Sequence, residues 1–148
     1  MDIDVRRSVI NPTNGKKITS VFTGTKEDVD IAVKVAQKAF DTTWGLHCPG
    51  NKRSELLWRL ADLVEKHLDE FAALEALNTG KPFSWAKAGD LAMALDTFRY
   101  YAGWADKITG KVIETTEDKL TYTRHEPIGV VGQISAWNFP SAYRDCDD

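Results

Sequence analysis

Near the end of this 148-residue chain stands Trp137-Asn138-Phe139-Pro140, directly after the apolar run Ile128-Gly129-Val130-Val131-Gly132-Gln133-Ile134. A β-branched run bounded by Pro127 and Pro140 reads as a buried strand, and the turn that follows puts the Asn138 carboxamide at its C-terminal edge. Open α/β sheets bind their ligands at that edge. A fixed amide donor aimed at an oxygen that becomes negatively charged in a tetrahedral intermediate is worth several kcal/mol. The plainer role is that of a turn asparagine bonding its own backbone.

Other chemistry-bearing residues offer less. Cys146 lies among Asp145, Asp147 and Asp148, whose negative charge disfavours a thiolate, so it is a poor nucleophile. Cys48 and Cys146 lack metal-ligand spacing and read as reduced thiols. His47, His67 and His125 are scattered without acidic or cysteine partners at ligand or triad spacing, so surface or packing roles are expected and no metal site is assigned. No G-x-G-x-x-G or Walker loop is present to cradle a phosphate.

The elements that position these residues are legible from turn chemistry and periodicity. Asn11-Pro12-Thr13-Asn14-Gly15-Lys16 reads as the turn of a short hairpin joining Ser8-Val9-Ile10 to Val21-Phe22. Thr25 and Asp28 form a capping-box-like start to a helix over about 26–40, with Val29, Val33 and Phe40 at helical spacing. After a Gly/Pro loop, Leu56, Leu57, Leu60, Leu63 and Val64 mark a second helix over about 52–67. Asp69 is suited to cap a third helix whose Phe71, Leu74 and Leu77 face inward, stopped by Asn78-Thr79-Gly80-Lys81-Pro82. A long fourth helix over about 83–108 carries Leu91, Leu95, Phe98, Ala102 and Ala105, with Gly89 and Gly103 as expected points of close packing. Val112-Ile113 and Leu120 to His125 read as β, ahead of the apolar strand 128–134.

Composition agrees with a globular α/β chain: 43% hydrophobic, 28% charged and a formal net charge of -3. Without a Lys/Arg block no nucleic-acid partner is expected. No apolar stretch approaches the ~20 residues of a membrane span and the amino terminus lacks a signal-like core, so the expected setting is cytoplasmic, with no membrane partner.

The segment from Glu126 to Pro140 resembles the aldehyde dehydrogenase superfamily, whose members carry Glu-Pro-(apolar)-Gly-Val-x-Gly-Gln-Ile-x-x-Trp-Asn-Phe-Pro. Val9-Ile10-Asn11-Pro12, Asn78-Thr79-Gly80-Lys81-Pro82 and Phe98 to Lys107 are similar to family segments in the same order, so the resemblance covers about residues 8–140. It implies an amino-terminal, truncated part of that fold: hairpin, four helices, strands of an oligomerisation flap and the start of a Rossmann-like sheet. Residues 1–140 would be a partial cofactor-binding domain that includes a partial flap at 111–126. The octet 141–148 departs from the apolar helix that family members place there and reads as a non-family tail.

The same resemblance implies site roles. Asn138 matches the residue that stabilises the oxyanion. Ser135, Ala136, Trp137 and Asn138 match positions lining the nicotinamide cleft for NAD or NADP, although many relatives have an apolar residue and a proline where Ser135 and Ala136 stand. Met93 and Phe139 match positions of the substrate tunnel, against the common role of a helix methionine as core filler. The activity implied is oxidation of an aldehyde to a carboxylate by a homo-oligomer. The family's catalytic cysteine, general-base glutamate and glycine-rich loop lie beyond Pro140, so this polypeptide alone is expected to be inactive. The alternative is a non-catalytic fragment whose strand Leu120 to His125 pairs with full-length subunits. A generic helical adaptor explains the amphipathic helices but leaves the Trp137 to Pro140 turn without a role.

Overall fold

The computed structural model describes residues 6–141. Its first element follows from side chains that imitate a turn. Asn11 Oδ1 accepts from Thr13 N at 2.9 Å, Asn14 Oδ1 accepts from Lys16 N at 2.9 Å, and Gly15 takes φ +66°. Strands β1 (Arg6–Ile10) and β2 (Lys17–Phe22) therefore pair antiparallel, with Ser8 opposite Ser20 and a register irregularity between Val9 and Ile10.

Helix α1 (Lys26–Thr42) begins at the expected capping box, in which Thr25 N donates to Asp28 Oδ2 at 2.8 Å and Asp28 N donates to Thr25 Oγ1 at 3.3 Å. Helices α2 (Gly50–Lys66) and α3 (Leu68–Thr79) follow, and Gly80 at φ +79° ends α3 in the left-handed region. The fourth helical stretch has three parts: α4 (Phe83–Trp85), a π-helical segment (Ala86–Leu91) and α5 (Ala92–Trp104). Its inner face packs on α2 and α3, where Ala61, Ala72, Ala86, Leu91, Ala94, Leu95 and Ala102 form the core. A Cβ on Gly50 would lie 2.5 Å from the Ala105 carbonyl oxygen, so α2 starts against the end of α5 only because that residue is glycine. Arg53 fastens the junction by donating to the carbonyls of Cys48 and Ala105, the latter at 3.2 Å. Strands β3 (Val112–Ile113) and β4 (Thr121–Tyr122) form a second antiparallel pair.

Several expectations are corrected. Residues 128–134 form no strand, and Ile128 and Ile134 are fully or almost fully exposed. A strand needs a ladder partner as well as β-branched residues, and among the described residues no strand is laddered to this run. The segment 120–125 contributes only Thr121 and Tyr122 to a ladder. Helix three starts at Leu68 with His67 at its cap and no side-chain cap bond, and Asp69 sits in the first turn instead. Phe71, Leu74 and Leu77 are exposed, while Ala72 and Glu75 are the residues of α3 that are buried. Nothing on α1 is buried, and Leu56, Leu60 and Leu63 of α2 are likewise exposed. The long fourth helix ends at Trp104 rather than near Ile108, and Gly103 has no atom within 4 Å of a built Cβ, so close packing does not explain it. Among the described residues no helix is long and apolar enough to cross a membrane. The tail 142–148, including Cys146, lies outside the described residues.

Candidate functional site

Asn138 sits in a turn running from Trp137 to Ser141, exposed to solvent, while the two residues after it are half-buried. The reason lies in what flanks it. The Lys81 ammonium stands 3.6 Å from the centroid of the Phe139 ring, within the range of a cation–π contact. Ser141 Oγ donates to Glu75 Oε2 at 2.5 Å. Thus the side chain that could donate to a substrate is free, and its neighbours on the C-terminal side are held by groups from α3 and the loop after it.

Those groups are set by local sequence. Thr79 Oγ1 donates to the Glu75 carbonyl at 2.7 Å, and Lys81 N donates to Thr79 Oγ1 at 3.4 Å. Gly80 makes the left-handed turn that brings Lys81 back over the end of α3, and a Cβ there would meet Pro12 Cγ at 2.9 Å. Lys81 Nζ then pairs with Asp90 Oδ2 at 2.5 Å. Asp90 is carried by the π-helical segment and is only 1% exposed; Glu75 is 5% exposed.

Two carboxyl groups and one ammonium therefore share a nearly dry space. Burial pushes the Glu75 carboxyl above its ordinary value by desolvating the charged form; the Ser141 hydroxyl pulls it down, Asp90 pushes it up and Lys81 opposes that. Glu75 Oε1 is buried without a hydrogen-bond partner, which also favours a proton on this carboxyl. The Lys81–Asp90 ion pair compensates one buried carboxylate, and burial raises the pKa of the other, Glu75.

The other residues singled out in the sequence lie apart from this cluster. Met93 is 52% exposed and lines an open groove of about 680 Å³ with Gly89, Asp96 and Tyr100, and Phe139 is not part of that wall. Ser135, Ala136 and Trp137 are exposed, with Trp137 at 84%. A dinucleotide needs walls on both faces and a cradle for its phosphates. These residues offer a single open surface, so the described part of the chain does not by itself fit the group. His67 Nδ1 lies 3.3 Å from Glu70 Oε2 on the surface, His47 and His125 are exposed, and Cys48 is buried. Among the described residues no cluster of His, Cys, Asp and Glu could hold a metal.

Sequence reasoning passed over Glu75 and Asp90 and read Lys81 only as part of the segment 78–82. The available signal was an acid on the inward side of an otherwise apolar helix, twice: Glu75 three residues after Ala72, and Asp90 beside Leu91. Charged residues are almost never buried unless paired, so each announces a partner.

The chain matches the sequence profile described as "Aldehyde dehydrogenase family" over residues 3–144. It is 60% identical over 132 residues to an aldehyde dehydrogenase of Agaricus bisporus, an alignment covering 89% of this chain and 26% of that protein. It is 51% identical over 133 residues to the mitochondrial aldehyde dehydrogenase of Rattus norvegicus, covering 88% of this chain and 25% of the relative. The NAD+ complex of a Bacillus cereus aldehyde dehydrogenase superposes with a TM-score of 0.92 at 42% identity, covering 95% of this chain and 29% of that one. The chain thus spans about a quarter of the length of the proteins it matches.

Proposed function

The chain belongs to the aldehyde dehydrogenase family, and from that premise we propose that it is the amino-terminal section of an NAD(P)-dependent enzyme that oxidises aldehydes to carboxylates, to which it contributes an oxyanion donor. The observation that carries the reading is the Asn138 carboxamide, exposed in a turn whose next residues are tied down by Lys81 and Glu75. When a thiolate adds to an aldehyde, the carbonyl oxygen becomes an alkoxide, and a pre-positioned amide N–H stabilises that charge more than it stabilises the ground-state carbonyl. A bound nicotinamide would supply the hydride acceptor. Ser135, Ala136 and Trp137 would form one wall of its cleft, and Met93 and Phe139 would belong to the aldehyde tunnel of a homo-oligomeric enzyme. Walls opposite them, and a thiolate in an electropositive setting, must come from other parts of such an enzyme. We therefore expect no turnover by the 148-residue chain alone.

The test is a graft in which residues 6–141 replace the matching section of the intact Bacillus cereus enzyme. Asn138→Ala in that graft should lower kcat about 10²- to 10³-fold with little change in KM, the signature of a donor that acts in the transition state. An unchanged kcat would remove Asn138 from the chemistry.

A second reading rests on the β3–β4 pair, whose two-residue strands leave Val112 and Leu120 each 79% exposed beside open edges. In it the chain adds a strand to full-length subunits and modulates them. Co-expression with an intact relative decides: a stable mixed complex supports it, and clean separation of the two chains excludes it.

A further inference from the structure

We propose that Lys81, Asp90 and Glu75 form a positioning device for the Asn138 turn, gripping it through Phe139 and Ser141 so that the backbone carrying the carboxamide is held in place. This rests on the assignment of Asn138 as the oxyanion donor, and it gives a role to Lys81, from the segment 78–82, and to Glu75 and Asp90, which lie in none of the sequence motifs.

The argument is geometric. The grip on the Asn138 turn is applied one and three residues later, at Phe139 and Ser141. The Lys81 ammonium caps the Phe139 ring at 3.6 Å, and the same ammonium is locked by Asp90 at 2.5 Å. Asp90 is 1% exposed on a π-helical segment wedged against α3, so the cation has little freedom to leave the ring. Ser141 reaches Glu75 across 66 positions of chain, and Glu75 is anchored in the interior of α3. Pro140 lies between the two grips, with its φ fixed by its ring, beside the groove formed by Val9, Ile18, Phe71 and Leu74. Two anchors flanking a proline leave the preceding residue few backbone choices. Without them the turn loses both contacts to α3 and the loop after it, and a 1 Å displacement of a catalytic group costs orders of magnitude in rate.

Charge gives the device its direction. A cation–π contact needs the ammonium charged and partly desolvated. Asp90 pairs with that ammonium at 2.5 Å, and burial of Glu75 disfavours a second anion beside the pair.

The test reads the turn itself, in the 148-residue chain, by NMR with isotope-labelled asparagine and lysine. In the parent, the Lys81 ε-methylene protons should be shifted upfield by the Phe139 ring, and the Asn138 side-chain amide protons should differ from those of a free asparagine. Lys81→Met, which keeps the straight chain and removes the charge, should move the Asn138 amide signals toward free values. Lys81→Arg, which keeps a cation that can stack, should preserve them. Because Lys81→Met leaves Asp90 buried and unpaired and can unfold the chain, Ser141→Ala serves as the second variant; it deletes one hydroxyl from a half-buried turn and should also shift the Asn138 signals. In the graft, Lys81→Met should lower kcat roughly 10- to 100-fold at nearly constant KM, with Lys81→Arg restoring most of it. Unshifted Lys81 ε-protons in the parent, Asn138 signals unmoved by Ser141→Ala, or an Arg variant indistinguishable from the Met variant would each overturn the proposal. Moved signals together with an unaffected kcat in the Asn138→Ala graft would instead uphold the grip and sink the oxyanion role.

Discussion

At the scale of single residues, Glu75 has the most consequential chemistry outside Asn138. Its folded carboxyl holds a proton to higher pH than the ordinary value of 4.5, first because burial desolvates the charged form. The stability that follows is complete below about 4.5 and is lost as pH rises through the folded value, since the fold must then accept a buried anion beside Asp90, with Lys81 only partly compensating. Glu75→Gln, which can still accept from Ser141, should therefore unfold at a temperature equal to or above that of the parent at about pH 7, the difference closing at about pH 4. Thermal denaturation at the two values measures it, and a parent that is the more stable at neutral pH would show an ionised, well-paired Glu75. The turn that carries Asn138 was legible in the sequence because its signal is local: an apolar run followed by turn residues and a proline in contiguous positions. The grip around it was not, since Ser141 and Glu75 meet only through the tertiary path of the chain.

At the scale of elements, the hairpin, the helix starts and the helix stop at Gly80 were readable because each depends on chemistry within four residues, such as Thr25 with Asp28 or Asn11 with Thr13. Thr25→Ala should cost about 1 kcal/mol of helix stability, seen as faster amide exchange in the first turn of α1. Gly80→Ala forces a side chain into φ +79° and against Pro12, and should lower stability by roughly 1–2 kcal/mol in denaturant titration while loosening Lys81 from Phe139. What periodicity could not tell was which stripe finds a neighbour. In α3 the large residues Phe71, Leu74 and Leu77 stay in solvent, while Ala72 and Glu75 turn inward, because α3 meets the π-helical segment along a small-residue contact. The run 128–134 has the composition of a central strand, but a ladder is a property of two segments, and the second is not among the described residues.

At the scale of the molecule, the exposed apolar side chains tell what the chain needs. Val29, Ile31, Val33 and Val35 of α1 are 48–63% exposed, and Ile128, Val131 and Ile134 stand in solvent along one segment outside any strand. Surfaces of this kind are covered in stable proteins, and the chain spans only about a quarter of the length of its relatives. The isolated chain should accordingly self-associate, with a sedimentation coefficient that rises with protein concentration; a concentration-independent monomer would show that these faces tolerate water. On the proposed function, the 148-residue chain contributes an oxyanion donor and needs other parts of the enzyme for turnover, so the purified chain should form no NADH or NADPH from an aldehyde above the rate of buffer alone. Steady turnover that disappears in the Asn138→Ala variant would overturn that proposal.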